Sequence, residues 1–299
     1  MLKYKIQYGL FRAAEALLRP LPHRAALAAA WMIVYPAALL AMRGRVAEAR
    51  RRVRLACGPE LGEREARRAA RISLRNTVFN AVEMLRVESF TLGQLQGMTA
   101  GLGEAVAKLR ELRDESGGRG AIIALPHCGN WDLAGSSCML SGLPIFSVAG
   151  KQRNPYMNRL MNRSRGGHGM AMLERGGGAL KQILSRLAAG EVFAILPDTR
   201  SPAPDLAVPF LGGSANIARG MASFAWQSKV PILPLVVRRD GWARFAVKQF
   251  PPVRPDFAAD KSAEIQRMTL EVMAIFDREI RAAPEQWFWY NKRWILDKI

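Results

Sequence analysis

His127 and Asp132 are the residues whose types and spacing first suggest chemistry. Both lie in the stretch Leu125-Pro126-His127-Cys128-Gly129-Asn130-Trp131-Asp132-Leu133. A carboxylate bonded to one imidazole nitrogen leaves the other free to take a proton, so such a pair can serve as a general base toward a hydroxyl. Five residues along a regular helix turn a side chain by about 140°, which keeps the two groups apart. They can meet if His127 lies in a turn and Asp132 in the first turn of the helix that follows. There the helix N-terminus favours an ionised carboxylate. The local sequence permits this. Residues 121–125 read as a buried strand, Pro126 ends it, Gly129 allows a tight turn, and Asn130 is a good N-cap for a helix starting at Trp131. Cys128, next to His127, is a conceivable thiol nucleophile. Neighbouring side chains on a turn diverge, however, and a small buried cysteine is the expected reading.

The elements that must hold this stretch have an alternating texture. Short apolar runs at 121–125, 144–149, 170–173, 192–196, 230–237 and 243–250 are separated by helical patterns. Leu180, Ile183, Leu184 and Leu187 repeat at one helical face, and Ile265, Met268, Val272, Ile275 and Phe276 mark another helix ahead of Pro284. This predicts an α/β sandwich with a mixed, mostly parallel sheet, whose ligand sits at the carboxyl ends of the strands. His127 falls at such an end, and polar groups fall at three others. Lys151 and Arg153 follow the second run. Arg175 follows the third, before a glycine-rich helix start suited to an anion or oxyanion. Asp198 and Arg200 follow the fourth, with Asp198 placed to orient Arg175 or bind an acceptor. The apolar loop around Pro209 and Phe210 is expected to wall an acyl groove.

The 299 residues carry a net charge of +19, which calls for an anionic partner. Of this excess, +11 lies before residue 87, where 17 Lys/Arg face 6 Asp/Glu. The same third begins with an aromatic and basic start at residues 2–11. It then has 18 uncharged residues from Ala25 to Met42, about 27 Å as a helix. Eight alanines and Pro36 inside that run favour a shallowly inserted helical region over a span or a cleaved leader. We divide the chain at the glycines of residues 117–120: 1–117 a helical, membrane-associated region and 118–299 the α/β body. Arginines beside an apolar helix point to anionic lipid. No zinc finger or RNP aromatics appear, so nucleic acid is not the expected partner. Three scattered cysteines and three histidines argue against a disulfide framework or a metal site. Neither a GxSxG elbow nor a nucleotide-binding glycine loop is present.

Several blocks together resemble the lipid A biosynthesis acyltransferases, the late lauroyl/myristoyl transferases of Gram-negative bacteria. His127 to Leu133, with Asn130 and Trp131 inside it, resembles their His-x-x-x-x-Asp/Glu block. Arg153-Asn154-Pro155-Tyr156 resembles the Arg-Pro-x-x-Asn-Pro block, and Arg175-Gly176-Gly177 the next. Leu196-Pro197-Asp198 with Val208-Pro209-Phe210-Leu211-Gly212 is similar to the Pro-Asp-Gln-Asp block and its Pro-Phe-Phe-Gly. Pro284-Glu285-Gln286-Trp287-Phe288-Trp289 is similar to the closing Pro-Glu-Gln-x-x-Trp. Thr199-Arg200 replace a Gln-Asp, and Asn291 a histidine. Phosphatidylinositol mannoside acyltransferases share the first block and the fold.

The resemblance implies a glycerolipid acyltransferase-like α/β sandwich at the cytoplasmic face of the bacterial inner membrane. It also implies transfer of an acyl chain from an acyl carrier protein thioester to a hydroxyl of a membrane lipid, a lipid A precursor first. In that reading His127 is the base, Asp132 fixes its tautomer, and Arg175 with Lys151 or Arg153 stabilises the oxyanion. No cofactor or metal is implied. Two alternatives stay open: an acyl-CoA-dependent enzyme acting on another glycolipid or an aminolipid, and a non-catalytic lipid-binding protein.

Overall fold

The structure, a computed structural model, describes residues 1–150 and 152–297. Four helices come first: α1 (Leu2–Leu18), α2 (His23–Ala41), α3 (Arg43–Cys57) and α4 (Glu63–Arg86). After α5 (Leu92–Met98) the chain alternates. β1 (Thr99–Ala100), α6 (Leu102–Glu115), β2 (Ile122–Ala124), α7 (Trp131–Leu140), β3 (Ile145–Ala149), α8 (Pro155–Gly166), β4 (Ala171–Glu174), α9 (Ala179–Ala188) and β5 (Val192–Ile195) follow in order. Then come β6 (Leu206–Phe210), β7 (Gly213–Ile217), α10 (Gly220–Ser228), β8 (Ile232–Asp240), β9 (Arg244–Gln249) and α11 (Lys261–Ala282).

Seven strands form one mixed sheet in the order β1-β9-β8-β2-β5-β3-β4, antiparallel only between β8 and β9. β2 lies at its centre and is buried on both faces, which explains its run of apolar residues without alternation. Its side chains still point alternately. Ile122 and Ala124 join a core with Phe276 of α11 and Ala222 of α10, while Ile123 and Leu125 join one with Leu109 of α6 and Cys138 of α7. Helices therefore cover both faces, as the alternating texture predicts.

Two elements differ from the expectation. Residues 207–213 are not a groove-walling loop but part of the antiparallel hairpin β6–β7, outside the main sheet. Phe210 is buried in the core against α11, and Pro209 is exposed. The N-terminal helices are also not a separate region but pack into the body. Ala26, Leu27 and Ala30 of α2 pack on Val78, Phe79 and Val82 of α4, and Ala49, Val53, Ala66 and Leu74 enter the main core. The rest of α2 is bare. Met32, Ile33 and Leu40 are largely exposed, as are Leu2, Ile6 and Leu10 of α1. By length and composition α2 is apolar enough to cross a membrane, with a mean hydropathy of 1.6.

Candidate active site

β2 and β5 are parallel neighbours, with Ala124 opposite Ile195. His127 and Asp198 each come three residues after that paired position, so the two loops place them side by side. The His127 imidazole meets Asp198 at 2.7 Å between Nδ1 and Oδ1, and the His127 backbone N–H donates to Oδ2 at 2.6 Å. The Trp287 indole N–H donates to the same Oδ2 at 2.6 Å. The carboxylate can only accept, so Nδ1 carries the proton and Nε2 is left with a free lone pair that can accept one. Asp198 is fully buried, while the His127 side chain keeps 22% exposure toward a cavity. Burial pushes the Asp198 carboxyl up, but the His127 ring and the hydrogen bonds from His127 and Trp287 outweigh it and hold the carboxyl below its ordinary value.

Asp132 is therefore not the partner of His127. It occupies the first turn of α7, and its Oδ1 accepts from Arg165 Nε of α8 at 2.8 Å. The helix start turns the Asp132 carboxylate toward α8, while His127 is drawn to the end of β5. Asp132 and Arg165 nevertheless line the same cavity as His127. Arg165 is a site residue that sequence reasoning missed. It lies within the Arg163-Ser164-Arg165 helix end, and only the packing of α8 against the body singles it out from its neighbours.

The other predicted residues divide. Trp131 borders the cavity with its ring edge-on to His127, centroids 5.0 Å apart. Asn130 is buried and caps α7 by accepting from Leu133 N–H at 3.0 Å. Arg175 and Arg200 line the cavity, and Arg200 also donates from Nε to the Asp297 carbonyl. Arg153 is exposed and stands outside the lining, as do Pro209 and Phe210. Lys151 lies outside the described residues. Cys128 is buried, and burial followed by the Asp198 charge drives its thiol well above the usual range, so it stays protonated and packs.

The cavity has a volume of about 530 Å³ and runs from His127 into the sandwich. Ala105, Cys138, Ile145, Met170 and Met172 make an apolar interior, while His127, Asp132, Arg165, Arg175 and Arg200 supply polar groups. An apolar chamber ending at an oriented imidazole and several guanidiniums suits a long alkyl chain bearing a reactive carbonyl. Among the described residues no cluster of histidine, cysteine and carboxylate could hold a metal ion.

A family model for bacterial lipid A biosynthesis acyltransferase matches residues 1–295. A lipid A biosynthesis acyltransferase of Haemophilus influenzae is 26% identical over 174 residues, covering 58% of this chain and 52% of that protein. A phosphatidylinositol mannoside acyltransferase of Mycolicibacterium smegmatis is 24% identical over 185 residues, covering 60% of this chain and 58% of that protein. The chain thus aligns with a little over half the length of these relatives. Among solved structures, the 1-acyl-sn-glycerophosphate acyltransferase PlsC of Thermotoga maritima matches 93% of this chain and 98% of its own, with a TM-score of 0.38 and 15% identity.

Proposed function

Because the chain belongs to the bacterial lipid A biosynthesis acyltransferase family, we propose that it moves a fatty acyl chain from an acyl carrier protein thioester to a hydroxyl of a membrane lipid, a lipid A precursor first. The observation that carries this reading is the His127 imidazole, bonded through Nδ1 to buried Asp198 at 2.7 Å and bordering an apolar cavity. In the reaction, Nε2 takes the proton of the acceptor hydroxyl as its oxygen attacks the thioester carbonyl carbon. The carbonyl electrons move to oxygen, and Arg165 (oriented by Asp132) and Arg175 stabilise that charge. Collapse re-forms the carbonyl and breaks the C–S bond, and the imidazolium returns the proton to the departing thiolate. General-base help of this kind is worth about 10²–10⁴ in rate. The hydroxyl attacks directly, so no acyl-enzyme forms.

The bare apolar faces of α1 and α2, beside exposed arginines of α3 and α4, support work at an anionic membrane surface. We place it at the cytoplasmic face of the bacterial inner membrane, where an acidic carrier protein could reach the same cationic surface. A second reading is an acyl-CoA-dependent transfer to another glycolipid, and the similarity to a phosphatidylinositol mannoside acyltransferase supports its glycolipid acceptor. Labelled dodecanoyl carrier protein and dodecanoyl-CoA, each incubated with the purified chain and a total lipid extract, separate the two. Label entering one lipid class from the carrier protein is expected. Label from CoA alone would favour the second reading, and no label from either would sink both.

A further inference from the structure

Beneath the catalytic loop lies a buried ionic cluster that the reaction does not use. Glu83 of α4 and Arg239 of β8 form a two-pronged pair, 2.9 Å from Nη1 to Oε1 and 2.5 Å from Nη2 to Oε2, with both side chains at 0% exposure. The Arg239 guanidinium is packed beside the rings of Phe245 and Phe79, 4.6 and 5.5 Å from their centroids. Two groups of the cluster reach the loop itself. Asn130 Nδ2 donates to Glu83 Oε2 at 2.7 Å. Asn80, which accepts from Arg239 Nη2 at 2.7 Å, donates to the Gly129 carbonyl at 2.6 Å. A third contact leaves the loop: the His23 ring, at the first residue of α2, meets Glu83 Oε1 at 3.0 Å.

A buried ion pair gains little net stability over well-packed apolar residues, because desolvation offsets the attraction. What this pair does supply is direction. The loop leaves β2 after Ala124, passes through His127, turns at Gly129 with φ +58° and enters α7 at Trp131, so the placing of Gly129 and Asn130 sets the His127 backbone just before them. At Gly129 there is no room to drift, since a Cβ there would stand 2.5 Å from the Val237 carbonyl oxygen. From the other side, Gln286 holds the same loop. Its carbonyl accepts from Gly129 N–H at 3.2 Å, and its side-chain oxygen accepts from Arg239 N–H at 2.8 Å. Glu83 and Arg239 therefore tie together both clamps on the residues just after His127.

We propose that Glu83 is a positioning residue for the transfer: with Arg239 it fixes Gly129 and Asn130, and so the approach of His127 to Asp198, and through His23 it ties that loop to the start of the apolar helix α2. The inference deepens the acyl-transfer reading and rests on it for the reaction, but its geometric core can be tested without turnover. With ¹⁵N-labelled histidine, the chain's three imidazoles are few enough to resolve. The His127 Nδ1–H, bonded to a buried carboxylate, should give a far-downfield proton signal. In Asn130→Ser the hydroxyl still caps α7 but no longer reaches Glu83. In that variant and in Glu83→Gln the His127 signal should move or broaden. Where the wild-type chain transfers dodecanoyl label, kcat should fall by about 10² with KM for the thioester little changed. A Glu83→Gln chain that does not fold, having left Arg239 without its counter-charge, hands the decision to Asn130→Ser. Folded variants with an unaltered His127 signal would overturn the proposal. A moved signal together with an inactive wild-type chain would support the positioning and fault the reaction instead.

Discussion

The carboxylate that faces His127 decides how the site works. Asp198 accepts from the His127 backbone and ring and from Trp287, while Asp132 holds Arg165. The two aspartates should therefore fail differently. Asp198→Asn keeps the shape but lets the side-chain amide favour the wrong imidazole tautomer, and kcat should fall by about 10⁴. Asp132→Asn loosens an oxyanion donor and should cost about 10²–10³. Equal losses, measured as initial rates on the same donor, would remove the distinction. Acid stability follows the same geometry. The folded Asp198 carboxyl lies below its ordinary value, so its stabilisation is fully present above the unfolded value of about 3.9 and is lost as pH falls through the folded one. Thermal midpoints of the wild-type chain should fall steeply below that pH, and those of Asp198→Asn less steeply.

At the scale of elements, the strands at 121–125, 144–149 and 192–196 could be read directly, because buried parallel strands are continuous apolar runs bounded by turns. The position of His127 at a strand end was legible too, since Pro126 and Gly129 mark that end. Its partner was not. A spacing of five residues drew attention to Asp132, whereas pairing of His127 with Asp198 depends on β2 and β5 being neighbours in register, which single-chain periodicity does not reveal. Equal offsets from two strand ends were the available clue. The apolar stretch at Pro209 and Phe210 misled for a related reason: apolarity signals burial but not which cavity is walled, and here β6 packs on α11. The cavity wall instead includes small residues of α6 and α7, Ala105 and Cys138, beside Ile145, Met170 and Met172. Ala105 of α6 is buried and lines it, so Ala105→Leu should shift donor preference toward shorter chains. Each methylene no longer housed costs about 0.8 kcal/mol, roughly fourfold in kcat/KM. An unchanged chain-length profile across a series of acyl thioesters would show that the tail lies elsewhere.

At the scale of the whole molecule, charge and apolar surface gather at the N-terminal helices, but not every arginine there is free to meet lipid. Arg52 is buried, donating to the carbonyls of Trp289 and Asn291 and lying over the Trp294 ring, whereas Arg45, Arg64, Arg67 and Arg71 are exposed. Binding to anionic vesicles should thus weaken as salt rises, with a salt-resistant remainder from the apolar faces of α1 and α2. Ile33→Asp, at a position 72% exposed, should remove much of that remainder in a sedimentation assay without lowering the thermal midpoint. Retention of full binding by the variant would assign the surface to something other than lipid. The central claim is that His127 drives acyl transfer onto a membrane lipid. Its most direct test is mass spectrometry of total lipids from cells lacking the gene, complemented with either the wild-type chain or His127→Ala. The account predicts that the wild-type chain restores a mass increment of one acyl group on one lipid class, and that His127→Ala, although folded and membrane-bound, does not. Restoration by His127→Ala would contradict it.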